Sequence, residues 1–165
     1  MSFFIRKATI DDVDSILQLI IGLATYEKSP ESVKATPHLL RENLFETPYA
    51  HTLLAFSGSS ESPGKAIGMA MYFFNYSTWT GRPGLYLEDL FVDGAYRGKG
   101  VGKAFFAELA KVAQEKNCAR MDWSVLKWNQ PSIDFYEKKL GATAMSEWMG
   151  MRLEEEGIEN VKNLK

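Results

Sequence analysis

Residues 93–106, DGAYRGKGVGKAFF, set Gly98, Gly100 and Gly102 among Arg97, Lys99 and Lys103, between an apolar strand pattern and an apolar helix pattern. Without Cβ atoms these glycines permit a tight turn and let a ligand touch the main chain. Amides exposed at the start of the following helix, with the positive end of its dipole, then form a site for an anion. Two familiar phosphate loops do not fit. A dinucleotide-binding G-x-G-x-x-G from Gly98 needs glycine at 103, where Lys103 stands. A Walker A loop needs glycine at 97 and a hydroxyl residue at 104, where Arg97 and Ala104 stand. The simpler alternative is a glycine-rich cap that binds nothing.

Immediately upstream, GLYLEDLFV carries two adjacent carboxylates, Glu88 and Asp89, in an otherwise apolar strand pattern. Strict alternation puts one on each face of a sheet. A charge directed into a sheet-lined cleft is costly unless paired, so Asp89 either salt-bridges a nearby Arg or Lys or serves a site. For Glu88 the functional reading is preferred. His38 and His51 have no histidine or cysteine partner four residues on, so no metal is expected. Cys118 precedes a strand pattern without a nearby histidine, and packing is its expected role.

The surrounding elements must hold the loop and the carboxylates. FFIRKA reads as a first strand, and apolar positions at Val13, Ile16, Leu17, Ile20, Leu23 and Ala24 predict a helix. Thr9 with Asp12 three residues on is a capping-box-like start, and Thr36-Pro37 opens a second helix. HTLLAF and KAIGMAMYFFNY are strand-like and bracket SGSSESPG, a hairpin connection of turn formers. After GLYLEDLFV, the spacing of Val101, Ala104, Phe105, Leu109, Val112 and Ala113 predicts an amphipathic helix ending near Asn117. ARMDWSV reads as a strand, PSIDFYEKKL as a helix opened by proline, SEWMGMRL as a last strand, and EEEGIENVKNLK as a polar, partly frayed tail. The order β-α-α-β-β-β-α-β-α-β implies a mixed sheet with helices on both faces, within one domain over 1–165.

An apolar content of 45% with 24% charged residues excludes a disordered chain. The net charge of −2 supplies no global field for nucleic acid or an anionic membrane, so neither is expected as a partner. A lone cysteine and the lack of a secretory leader predict a cytoplasmic location.

Arg-x-x-Gly-x-Gly after LEDLFV resembles the pyrophosphate-binding signature of the GNAT superfamily of acetyl-CoA-dependent N-acetyltransferases, and WNQPSIDFYEKKLGA resembles its second cofactor segment. The segments IRKATIDDVDSILQLI, LATYEK, AMYFFNYSTWTGRPGLYLEDLFV, YRGKGVG and VLKWNQPSIDFYEKKLGA, spanning residues 4 to 153, are similar to the spermidine/spermine N-acetyltransferase group and its thialysine-acetylating relatives. The resemblance implies an α/β (α+β) GNAT fold: one mixed, mostly antiparallel sheet splayed between its fourth and fifth strands. It also implies acetyl-CoA in the splay and a homodimer in which the partner chain completes the last strand or the cleft.

Acetyl transfer to an amine requires a base, because an ammonium of pKa about 10 has no lone pair. It also requires a polarised thioester carbonyl and a proton or positive field for the leaving thiolate. The resemblance assigns Glu88 to the amine's proton and Tyr136, on the proline-opened helix, to the sulfur's. It assigns Leu90, Phe91 and Val92 to the pantetheine, Arg97, Gly98, Lys99, Gly100, Val101, Gly102 and Lys103 to the pyrophosphate, and Asn129, Ser132 and Tyr136 to further cofactor contacts. Tyr26, Glu27, Glu88, Asp89, Asp122, Trp123 and Ser124 correspond to the amine-binding positions, an acidic slot with aromatic walls suited to a small cation.

Polyamine-acetylating members carry a glutamate before the tryptophan on the final strand, where this chain reads Met149-Gly150-Met151, and Leu140 is an extra residue before Gly141-Ala142. Both features lean toward the thialysine-type relatives. The alternatives weighed against a small-amine acetyltransferase are an enzyme acting on protein lysines or N-termini and a coenzyme A-binding module without catalysis.

Overall fold

The computed structural model describes residues 2–164. Two compact units make up the described chain, one running through Ser124 and the other beginning at Val125. In the first, strands β1 (Phe3–Lys7), β2 (His51–Gly58), β3 (Pro63–Ser77), β4 (Arg82–Val92) and β5 (Arg120–Trp123) form a single sheet in that spatial order. All neighbours are antiparallel except β4 and β5, which are parallel.

Helix α1 (Val13–Tyr26) follows β1 through a short 3-10 turn. The capping box predicted at Thr9 forms: the Thr9 amide donates to Asp12 Oδ2 at 2.7 Å. The same carboxylate accepts from Arg6 at 2.6 and 2.9 Å, and Arg6 holds it below the usual carboxylate range. α2 (Pro37–Arg41) starts as expected, with Thr36 Oγ1 accepting from the Leu39 amide at 3.2 Å, and continues as a π-helical turn over Glu42–Glu46. Val13, Ile16 and Leu19 of α1 pack on Leu54, Phe56, Met69 and Met71, one face of β2 and β3. On the opposite face lies α3 (Val101–Glu115), whose Phe105 ring covers Gly68; a Cβ there would stand 3.2 Å from it.

The second unit holds α4 (Gln130–Asp134), which continues as a π-helical turn over Phe135–Lys139, and α5 (Glu155–Val161). One expectation is corrected here. SEWMGMRL is not a strand, because a strand exists only with a ladder partner and none of the described strands pairs with it. Trp148, Met149 and Met151 instead stand exposed. Within the tail, expected to be partly frayed, Glu155 and Glu156 fall in the first turn of α5, where negative charge favours a helix start.

Candidate active site

β4 and β5 pair only where Gly84–Leu87 meet Arg120–Trp123. From Glu88 onward no described strand pairs with that edge of β4. This is the splay expected between the fourth and fifth strands. A β-bulge marks its start. Leu87 pairs with Tyr72 and Asp89 with Met71, which leaves Glu88 without a ladder partner. Bulges re-aim side chains and are frequent beside active sites.

The bulge decides what each carboxylate meets. Asp89 is opposite Met71, which belongs to the α1-facing core cluster together with Phe91. Among the described residues Asp89 makes no ion pair; the salt-bridge alternative is not realised. Burial, reinforced by the charges of Glu88 and Glu27, raises its carboxyl to about 6. Glu27 caps the C-terminal end of α1, and burial raises its carboxyl too. Glu88 is exposed. Glu27, at the C-cap of α1, and Glu88 thus both act on the Asp89 carboxyl.

The loop comes to the same place. After β4, Asp93 Oδ1 accepts from the Ala95 amide at 3.0 Å and opens a short 3-10 turn, while its other oxygen meets Lys65 Nζ at 3.1 Å. Gly98 and Gly100 both hold positive φ, +73° and +88°, and nothing lies within 4 Å of where a Cβ would stand on either. Gly100 is the N-cap of α3 and offers no side-chain oxygen, so the first-turn amides keep their donors for a ligand. Buried Val101 fixes that turn to the core, while Lys99 and Lys103 are exposed. Lys99 Nζ donates to the Ala95 carbonyl at 2.7 Å. The Arg97 guanidinium lies 4.3 Å from the Tyr26 ring centre and 5.6 Å from that of Phe91, and its Nε donates to the Val92 carbonyl at 2.9 Å. Tyr26, Glu27, Glu88, Asp89, Phe91 and Arg97 therefore gather around the C-terminal end of α1. An open glycine cradle beside exposed Lys99 and Lys103 fits a pyrophosphate.

On β5 the side chains are more committed. Asp122 pairs with Arg120 at 2.9 Å, the Trp123 ring meets Phe106 edge-on at 5.1 Å, and Ser124 Oγ lies 3.0 Å from the Tyr86 hydroxyl. In the second unit, buried Asn129 precedes α4 and its carbonyl accepts from the Ser132 amide at 3.1 Å. Tyr136 lies on the π-helical turn with its ring 5.6 Å from that of Phe135. One contributor escaped the sequence reading. Gly22, inside α1, makes room for Phe91: a Cβ would stand 2.9 Å from its ring. The available signal was glycine in a helix interior, where it costs about 1 kcal/mol relative to alanine and calls for a packing reason.

The raised carboxyl makes stability depend on pH. Between about 4 and 6 the folded chain keeps the Asp89 proton that the unfolded chain has lost, so this contribution falls as pH rises and is gone above about 6. A rise from 3.8 to about 6 corresponds to about 3 kcal/mol as an order of magnitude. Asp89→Asn is expected to be more stable than the parent at pH 7.5 and equal to it near pH 4. Denaturant melts across that range check it, and a parallel offset at every pH would refute the assignment.

The Acetyltransferase (GNAT) family model matches residues 14–142. The thialysine N-epsilon-acetyltransferase of Bos taurus is 41% identical over 161 residues, 93% of this chain and 94% of that protein. Spermidine/spermine N(1)-acetyltransferase-like protein 1 of Homo sapiens is 38% identical over 154 residues, covering 92% of this chain but 22% of that longer protein. Among solved structures, an integron cassette protein of V. cholerae superposes with a TM-score of 0.79 at 25% identity, over 99% of each chain. With the splayed sheet and the glycine cradle at the start of α3, these matches make the chain a member of the GNAT family of acetyl-CoA-dependent N-acetyltransferases, related to the thialysine N-epsilon-acetyltransferases.

Proposed function

We propose that this enzyme acetylates a primary amine of a small cationic molecule, and that thialysine-like or lysine-like amines are preferred to polyamines. The observation that carries the reading is Asp89: a half-buried carboxyl without an ion pair among the described residues, opposite Met71 and close to Glu27 and Glu88. A cation relieves the mutual repulsion of such a group, whereas an anionic or neutral substrate does not.

The loop glycines, the α3 amides, Arg97, Lys99 and Lys103 hold the pyrophosphate, and Asn129 and Ser132 hold the cofactor's amide and phosphate groups. The backbone of Leu90–Val92 on the open edge of β4 grips the pantetheine. Acetyl-CoA, when bound, supplies the acetyl group as a reactive thioester. Glu88, exposed at the bulge, receives the substrate ammonium and takes its proton; Asp89 and Glu27 keep the cation in place. The freed nitrogen lone pair forms the C–N bond as the C–S bond breaks; Tyr136 gives its hydroxyl proton to the departing sulfur and regains, through solvent, the second proton that the acylated nitrogen sheds. The preference for lysine-like amines rests on Met149, which stands where polyamine-acetylating members place an acid, and on the thialysine-acetylating relatives.

Assays of thialysine and spermidine side by side with acetyl-CoA test the substrate. Thialysine is expected to have the higher kcat/KM; spermidine ahead by more than about tenfold, or about 1.4 kcal/mol of transition-state binding, overturns the ranking. The working form is a homodimer, a reading supported by the exposed apolar run Trp148, Met149 and Met151. Sedimentation as a monomer at micromolar concentration would remove it.

A further inference from the structure

Tyr26 occupies an amine-binding position, yet one face of its ring is already engaged by the loop arginine. The Arg97 guanidinium carbon lies 4.3 Å from the Tyr26 ring centre, with Phe91 as a second aromatic neighbour at 5.6 Å. Nε of Arg97 is spent on the Val92 carbonyl at 2.9 Å, at the last residue of β4. Nε and the two rings orient the guanidinium plane, while its terminal nitrogens make no hydrogen bond to the described residues and keep their donors. An arginine held in this way loses little rotamer freedom when it meets an anion, and a planar fork suits a phosphate. A ring face occupied by a guanidinium is also withdrawn from a substrate cation.

We infer that Tyr26 is a positioning residue for the coenzyme: it presets Arg97 for the pyrophosphate and so couples the end of α1 to the cofactor loop. This rests on the reading of the loop as the coenzyme site. It assigns to Tyr26 an effect on coenzyme affinity in the absence of any amine.

Calorimetric titration with free coenzyme A, no amine present, tests it on the full chain. Tyr26→Phe retains the ring and is expected to bind within about twofold of the parent. Tyr26→Leu removes it and is expected to bind about two- to fivefold more weakly, the range of one exposed cation–π contact. Arg97→Ala is expected to lose about tenfold or more, and adding Tyr26→Leu to it should cost nothing further, because the ring then has nothing to orient. Equal affinity of Tyr26→Leu and the parent overturns the inference, as do losses that add in the double variant. A parent chain that fails to bind coenzyme A is a separate result: it removes the loop assignment itself, and the inference with it. A thermal melt of each variant identifies any that is not folded, and the Tyr26→Phe rescue carries the comparison in that case.

Discussion

Tyr136→Phe is expected to lower kcat by about 10²–10⁴-fold, the range for loss of a positioned general acid. The expectation follows from the chemistry of the leaving group. A thiolate expelled without a proton or a positive field is a high-energy product, and a phenol is a suitable donor near its own pKa of about 10. Phenylalanine keeps the ring that sits 5.6 Å from Phe135, so the π-helical turn over Phe135–Lys139 should survive the change. Such turns recur at functional sites because the extra residue redirects one side chain without breaking the helix. The affinity for acetyl-CoA should therefore stay within about twofold, since only one hydroxyl is lost. Steady-state kinetics at saturating amine, with calorimetry for the cofactor, separate the two quantities. A kcat within about threefold of the parent would take Tyr136 out of the mechanism, by the same scale.

The second large effect is expected at Gly100. Its φ of +88° belongs to the left-handed region, and the space where a Cβ would stand is open to at least 4 Å. Gly100→Val thus puts a β-branched side chain where a phosphate must approach the first amides of α3, and also strains the backbone. The strain alone is of order 1–3 kcal/mol and would lower stability without speaking to function. Gly81→Val is the control: Gly81 also has positive φ, +65°, and open space around it, but lies in the connection between β3 and β4. Both variants should melt earlier by similar amounts. Only Gly100→Val should lose coenzyme A binding, by at least about 100-fold, equivalent to about 3 kcal/mol. Normal affinity in that variant would place the phosphates elsewhere.

Much of the framework is written locally. Thr9 and Asp12 build their capping box from residues three apart, and Thr36 followed by Pro37 caps its helix within one turn. The 3.6-residue period of Val101, Phe105 and Leu109 and the turn formers between β2 and β3 are equally local signals. Neither depends on the rest of the chain, so the element order through α4 could be read directly. The same holds for the loop, whose function needs glycine at φ values other residues avoid, and those glycines are visible as letters.

The site's electrostatics depend on contacts that sequence spacing does not reveal. Alternation assigned Glu88 and Asp89 to opposite faces on equal terms, but the bulge takes Glu88 out of the ladder and leaves Asp89 opposite Met71, without a counterion. Its proton affinity then follows from burial and from Glu27, 62 positions away in the chain and brought close by the packing of α1 over the sheet. Arg97 likewise reads as a mobile charge in the sequence; in the fold it is fixed by Tyr26, Phe91 and the Val92 carbonyl. The expected last strand failed for the complementary reason, because Trp148, Met149 and Met151 have strand-like letters but no neighbouring strand to bond. Residue type and short spacing determined the elements, the caps and the glycine loop. Tertiary packing alone decided which carboxyl is drawn partly out of solvent, which arginine is held and which apolar segment is left without a ladder, because burial and pairing depend on neighbours supplied by distant parts of the chain.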